Sequence, residues 1–201
     1  MNEFKIEGTT LAGYAGNGGT VVIPNSVTTL GNYAFRRCPG LTNVVIGRGV
    51  TTIGDYAFSD CTSLTKVVIP NIVTTIGDRA FEYCYGLTEI VIPNSVTTIG
   101  DYAFRSCTRL TEVVIPDSVN YIGDCAFSDC PGLTNVVIGR GVTTIGDWAF
   151  YGCPCEKNIK RRMTMEYHEG KLSECCGAPI KLHDICSECK EHCEPENIKR
   201  R

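Results

Sequence analysis

Histidine is scarce in this 201-residue chain: there are three, His168, His183 and His192, all near the C-terminus. The rest of the sequence has no histidine for a nucleophile–base pair. HExxH, GxSxG and a glycine-rich phosphate loop are missing as well, which points away from an enzyme. No stretch approaches the roughly 18 continuous apolar residues of a membrane span. The opening residues, MNEFKIEGTT, lack a basic segment followed by an apolar run, so the sequence reads as cytoplasmic. An excess of charge is missing too. Nineteen basic residues face 22 acidic ones, and a net charge of -3 sets up no whole-molecule attraction to nucleic acid or an anionic membrane.

Cysteine, by contrast, is abundant and odd in number, at 13. Six of these thiols form a rhythm. Cys38, Cys61, Cys84, Cys107, Cys130 and Cys153 fall 23 residues apart without an insertion. Phe35, Phe58, Phe81, Phe104, Phe127 and Phe150 keep the same step, as do the glycines from Gly31 to Gly146. Six units run over residues 18–153, with Gly18 in the leucine slot of the first, after an entry segment at 1–17. Such self-similarity marks a solenoid, in which each unit buries its apolar face only by stacking on its neighbours.

Within a unit, Leu41, Val44 and Ile46 show the L-x-x-V-x-I spacing of a leucine-rich repeat strand. Strand side chains alternate, so Val44 and Ile46 point inward while Asn43 and Val45 point outward. Proline or glycine stops the strand (Pro24, Gly47, Pro70, Pro93, Pro116, Gly139). A second extended piece, Val-Thr-Thr-Ile-Gly, places Val50 and Ile53 inward. Asp55 then precedes Ala57, Phe58 and Cys61, a spacing that suits a short helical turn with Asp55 as its N-cap. Stacked at roughly 4.8 Å, six coils span about 30 Å. The expected fold is a mainly β leucine-rich-repeat-type solenoid, with a parallel sheet along one side and short helical turns. The ladder cysteines read as buried thiols filling an inward slot. Disulfides between coils are the alternative, with a torsion that parallel in-register side chains rarely reach.

These residues resemble the BspA-like, or Treponema-type, leucine-rich repeat family. Its motif, roughly L-x-x-V-x-I-P-x-S-V-x-x-I-G-x-x-A-F-x-x-C, is matched almost letter for letter in most units. The opening FKIEGTTLAGYAGNGGTVVIP is similar to the family's N-terminal entry. The resemblance implies binding to proteins or cell-surface components, with no catalytic residues to carry over. Many relatives carry an export signal and work at a surface, so a surface or secreted location is the alternative to the cytoplasm.

Function in a solenoid sits on exposed columns. Val22, Val45, Val68, Val91, Val114 and Val137 form an outward apolar stripe, flanked by Asn43, Lys66, Glu89, Glu112 and Asn135. β-propensity alone also accounts for valine there. A second column holds Tyr33, Tyr56, Arg79, Tyr102, Cys125 and Trp148. Its aromatics suit a protein anchor or a sugar, against the competing reading of a lateral packing ladder. A third set, Arg36, Arg37, Glu82, Tyr83, Arg105 and Arg109, reads as a solvated charged face. Residues 38–58 and 130–150 differ only at Tyr56 versus Trp148, uniformity that favours a repetitive partner.

After Cys153 the composition changes. Residues 154–167 read as a linker or capping helix, 168–193 as a cysteine-rich module and 194–201 as a basic tail. Cys186 and Cys189 have the C-x2-C spacing of a zinc knuckle, and Cys175 and Cys176 supply the other half. Four thiolates close a tetrahedral shell around one structural zinc, and metal binding would fold so short a segment. Cys193, His192 or His183 are substitute ligands. The segment resembles short zinc-ribbon modules. Its alternatives are a redox dithiol at Cys186 and Cys189, or two disulfides with one free thiol. The pentapeptide NIKRR occurs at 158–162 and again at 197–201, giving two basic clusters for phosphate or an acidic partner. The leading function is a non-enzymatic binding scaffold for a protein or cell-surface glycan. The alternatives are nucleic-acid association through the zinc module and NIKRR clusters, and thiol redox chemistry.

Overall fold

The computed structural model of the chain describes residues 3–157 and 160–161. Its first coils contain β1 (Phe4–Glu7), β2 (Thr10–Tyr14), β3 (Gly19–Val22), β4 (Thr29–Leu30), β5 (Leu41–Val45) and β6 (Thr52–Ile53). Then come β7 (Lys66–Val68), β8 (Thr75–Ile76), β9 (Thr98–Ile99), β10 (Glu112–Ile115), β11 (Tyr121–Ile122), β12 (Asn135–Ile138) and β13 (Thr144–Ile145). A 3-10 turn over Pro154–Lys157 leads into β14 (Lys160–Arg161).

The expected solenoid forms, with about six parallel-stacked coils. Partners in the ladders are 23 residues apart, as in Val44↔Val67, Thr52↔Thr75 and Val113↔Val136. The inward slots read from the sequence are buried: Val50, Ile53, Ala57, Phe58, Cys61 and Leu64 are closed to solvent. The six phenylalanines make one continuous stack, with neighbouring ring centroids 5.0–5.3 Å apart. Tyr14 extends that stack below Phe35 at 5.0 Å, and Leu11 is fully buried beside it. The antiparallel β1–β2 hairpin thus closes the first coil, joining β4 through β2.

Three expectations change. The continuous sheet is not the one carrying the valine stripe. The two-residue Thr-Ile pieces, with β1 and β2, build an unbroken eight-stranded sheet. The valine side is split into β3–β5–β7 and β10–β12–β14, with coil four unpaired between them. Coil four differs in carrying Ile90 where the other coils carry Val21, Val44, Val67, Val113 and Val136. It also sets Glu89 in register beside Glu112. An added methylene in a close-packed slot and two like charges side by side both work against ladder closure.

The second change concerns the segment after each aspartate. Among the described residues there is no α-helix; these segments are turns. Two residues per turn occupy the left-handed region, such as Tyr56 (φ 55) and Asp60 (φ 62). That reversal swings alternate N–H groups toward the next coil. Phe58 N–H, for example, donates to Ala80 O at 2.7 Å and Phe81 N–H to Ala103 O at 2.7 Å. Helical bonding would satisfy the same groups locally. Here they join coils and make a third side of the stack.

The aspartates accordingly do not cap helices. Asp55 Oδ1 accepts from Asp78 N–H at 3.0 Å, and Asp78 Oδ1 accepts from Asp101 N–H at 2.9 Å. Asn32 opens this ladder by accepting from Asp55 N–H at 2.9 Å, and Asp124 ends it on Asp147 N–H at 2.7 Å. The glycine before each acid leaves room for the carboxylate beneath. A Cβ on Gly77 would lie 2.6 Å from Asp55 Oδ1.

Backbone pairing also carries past Cys153, where the side-chain rhythm ends. β14 pairs in parallel with β12 in the same 23-residue step, Val137↔Lys160 and Ile138↔Arg161. Ladder bonds need only backbone groups, so the register outlasts the apolar pattern.

Candidate interaction surface

The valine stripe lies where strand alternation puts it, outside the core. Val22, Val45, Val68, Val91 and Val114 are exposed, from 39% at Val45 to 75% at Val91, while Val137 is half-buried. Each sits between two buried residues, as Val114 does between Val113 and Ile115. Over coils four to six the side dips into a cleft of about 790 Å³. Its lining comes from Thr88–Ile92 of coil four, Glu112, Val114 and Ile115 of coil five, and Val137 and Gly139 of coil six. Glu89, Glu112 and Asp117 are its charged residues. Lys66 reaches Glu89 at 3.3 Å from outside.

The aromatic column makes a lateral ladder with arginine. Tyr33 stacks on Tyr56 at 4.9 Å, and the Arg36 guanidinium lies over both rings at 5.4 and 5.5 Å. Arg79 sits between Tyr56 and Tyr102, 5.3 and 4.5 Å from their centroids, and donates to Tyr56 Oη at 2.5 Å. Arg105 continues over Tyr102 at 5.7 Å. Trp148 ends the column, half exposed, edge-on to Tyr151 at 5.0 Å. The reading of the third set as a solvated face holds at Arg36, Arg37 and Arg109, which are exposed, and is corrected at Glu82. Glu82 is buried and receives Arg79 and Arg105, each at 3.6 Å. Burial raises the Glu82 carboxyl above its ordinary range, opposed by those two guanidinium groups. The signal was available in the sequence: only coil three has an acid in this slot, and it falls beside the only arginine of the aromatic column.

The thiol ladder is internal. Cys61, Cys84, Cys107, Cys130 and Cys153 are buried, and each Sγ–H donates to the phenylalanine carbonyl one coil back, as Cys84 does to Phe58 O at 3.2 Å. Desolvation pushes Cys84 and Cys107 well above the ordinary thiol range, which keeps them protonated and inert. Cys38 and Cys125 are partly exposed.

Cys175, Cys176, Cys186, Cys189 and Cys193, with His183 and His192, lie outside the described residues. So does the second NIKRR. Among the described residues no group of three or more His, Cys, Asp or Glu is placed to hold a metal ion, and no helix is long and apolar enough to cross a membrane.

The profile of a family described as BspA type leucine rich repeat region matches residues 14–132 and 74–194, in six copies. Among curated proteins none matches the chain. Several solved structures do. A leucine rich cell surface protein from Faecalibacterium prausnitzii A2-165 is 37% identical with a TM-score of 0.68, over 72% of this chain and 42% of its own. A leucine rich repeat protein of T. pallidum is 29% identical with a TM-score of 0.63, over 72% of this chain and 81% of its own. A leucine-rich repeat protein from Eubacterium ventriosum ATCC 27560 is 25% identical with a TM-score of 0.64, over 83% and 50% of the two chains. This chain therefore spans less than half of the F. prausnitzii protein and most of the T. pallidum one.

Proposed function

The chain belongs to the BspA-type leucine-rich repeat family, and from that premise we propose that it is a non-enzymatic scaffold whose valine-bearing side binds a protein partner. One observation carries the reading. Coil after coil, an apolar side chain stands outside a core that is already complete, where packing asks nothing of it. The aromatic column is the weaker candidate, because its rings and guanidinium groups largely satisfy one another. Only Trp148 and Tyr33, toward the two ends, present much free ring surface.

The proposed location is the cell surface. The description of the F. prausnitzii protein supports it, whereas the cytoplasmic expectation finds no support among the relatives. Fractionation of the producing cell with an antibody to the chain decides between the two. For the partner, immobilised full-length chain is offered extracellular proteins. Capture is expected to vanish with Val45→Lys, Val68→Lys and Val114→Lys combined, and to persist with Tyr33→Ala and Trp148→Ala. The reverse pattern transfers the site to the aromatic column.

A single structural zinc on Cys175, Cys176, Cys186 and Cys189 is proposed separately, on their spacing alone. Metal analysis and thiol counting of the full chain test it: one zinc, with about nine of the 13 thiols free, supports the reading. Absence of metal from reduced, unchelated protein sinks it.

A further inference from the structure

We infer that the outward side of coils four to six docks a segment of another protein in which basic side chains flank an apolar one at alternate positions. The segment lies across the surface of the stack and joins none of its ladders. The inference rests on the scaffold reading above and names the class of partner.

Charge on this side is local. The column flanking the valine stripe runs Thr20, Asn43, Lys66, Glu89, Glu112 and Asn135, so its two acids fall in neighbouring coils. Glu89, Glu112 and Asp117 are exposed and line the cleft, and no lysine or arginine does. Glu112 makes no ion pair among the described residues. Glu89 meets Lys66 in a contact exposed on both sides, which makes it weak. Asp117 uses one oxygen, Oδ1, to accept Arg140 N–H at 2.8 Å. Carboxylates one coil apart, roughly 4.8 Å, repel each other. A cation set between Glu89 and Glu112 is attracted by both and offsets that repulsion.

The valines exclude a bare ion as the natural ligand. Two residues after each glutamate stands Val91 or Val114, and Val91 is the most exposed valine of the stripe. Ile90, Ile92, Val113 and Ile115 beneath them are buried, so the core is closed and needs neither side chain. An extended Lys-x-Val-x-Lys stretch sets its same-face side chains about 6.6 Å apart, the step from Glu112 to Val114 along β10. Its first cation then meets the glutamate pair, its valine covers Val91 and Val114, and its second cation points toward Asp117. Side chains make all of these contacts, so the coils keep their spacing. Such complementarity sets which partner is accepted. A second copy of this chain would bring the same two acids to the interface.

The test uses the full-length chain and three peptides: acetyl-GTKTVTKTG-amide, its counterpart with glutamate for lysine, and one with threonine for the central valine. Only the first is expected to saturate at low salt. Zero-length carbodiimide coupling should join its lysines to Glu89, Glu112 or Asp117. Glu89→Gln with Glu112→Gln is expected to weaken its binding about tenfold or more, and Val91→Thr with Val114→Thr about threefold or more. Both pairs alter exposed side chains, and unchanged melting verifies the fold. Equal binding of the basic and acidic peptides, or binding of none, overturns the proposal. So does equal binding of the valine and threonine peptides, which would mark a site for cationic charge alone. Coupling confined to other carboxylates overturns it while leaving the scaffold reading intact. If the parent refuses the peptide and Lys199→Glu, Arg200→Glu and Arg201→Glu together admit it, the occupant is the chain's own tail. Self-association that the two glutamine substitutions abolish assigns the side to a second copy. Either result overturns the proposal. Loss of the scaffold reading has a separate signature, partner capture that ignores the valine substitutions.

Discussion

At the scale of the residue, the aspartate column shows how one side chain serves the neighbouring coil. Asp78 accepts from Asp101 N–H at 2.9 Å and its own N–H is held by Asp55. Asp78→Ala is expected to cost about 1 kcal/mol in urea unfolding, the usual net worth of one such bond. Asp78→Asn keeps an accepting oxygen, as Asn32 does at the start of the ladder. It also removes a charge flanked by two others, so it should be neutral or slightly stabilising. An equal loss in both variants would mean that the carboxylate acts by something other than this bond. The sequence exposed the column but not its target. An Asp two residues before Ala-Phe reads equally well as an N-cap, and only the left-handed residues that follow exclude the helix.

At the scale of the element, the turn side combines strain with packing. Ser106 holds φ 58, and the equivalent slot in coil six is Gly152 at φ 73. Ser106→Gly should therefore raise stability by roughly 0.5–1 kcal/mol, net of the greater chain entropy of glycine. Its melting midpoint relative to the parent checks this, and a fall would show that the serine is not strained. The phenylalanine stack gives the opposite case. Phe81 is fully buried between two parallel rings at 5.1 and 5.2 Å. Phe81→Ala should cost about 3–5 kcal/mol by chemical denaturation, because neighbours held by the Thr-Ile and turn-side ladders cannot collapse into the space. A loss below about 1 kcal/mol would mean that the stack relaxes far more freely than these ladders allow.

At the scale of the whole molecule, the thiols report whether the stack opens as a unit. Cys61, Cys84, Cys107 and Cys130 are closed to solvent, while Cys38 and Cys125 are partly open. With a thiol reagent, Cys38 and Cys125 should react promptly and the buried four only at the rate of global opening. Peptide mapping separates the two sets, and prompt labelling of Cys84 or Cys107 would show that coils part individually. The period, the inward slots, the outward valines and the buried thiols follow from the sequence alone, because a strict 23-residue step leaves one way to align the coils and alternation fixes which side chains face in. Where each backbone group finds its partner was decided only by the tertiary structure. Coil four remains unpaired on the valine side, the turns bond across coils, and Glu82 is buried under two arginines. Those outcomes depend on distances between coils set by the packing of all three sides together, which no single repeat encodes.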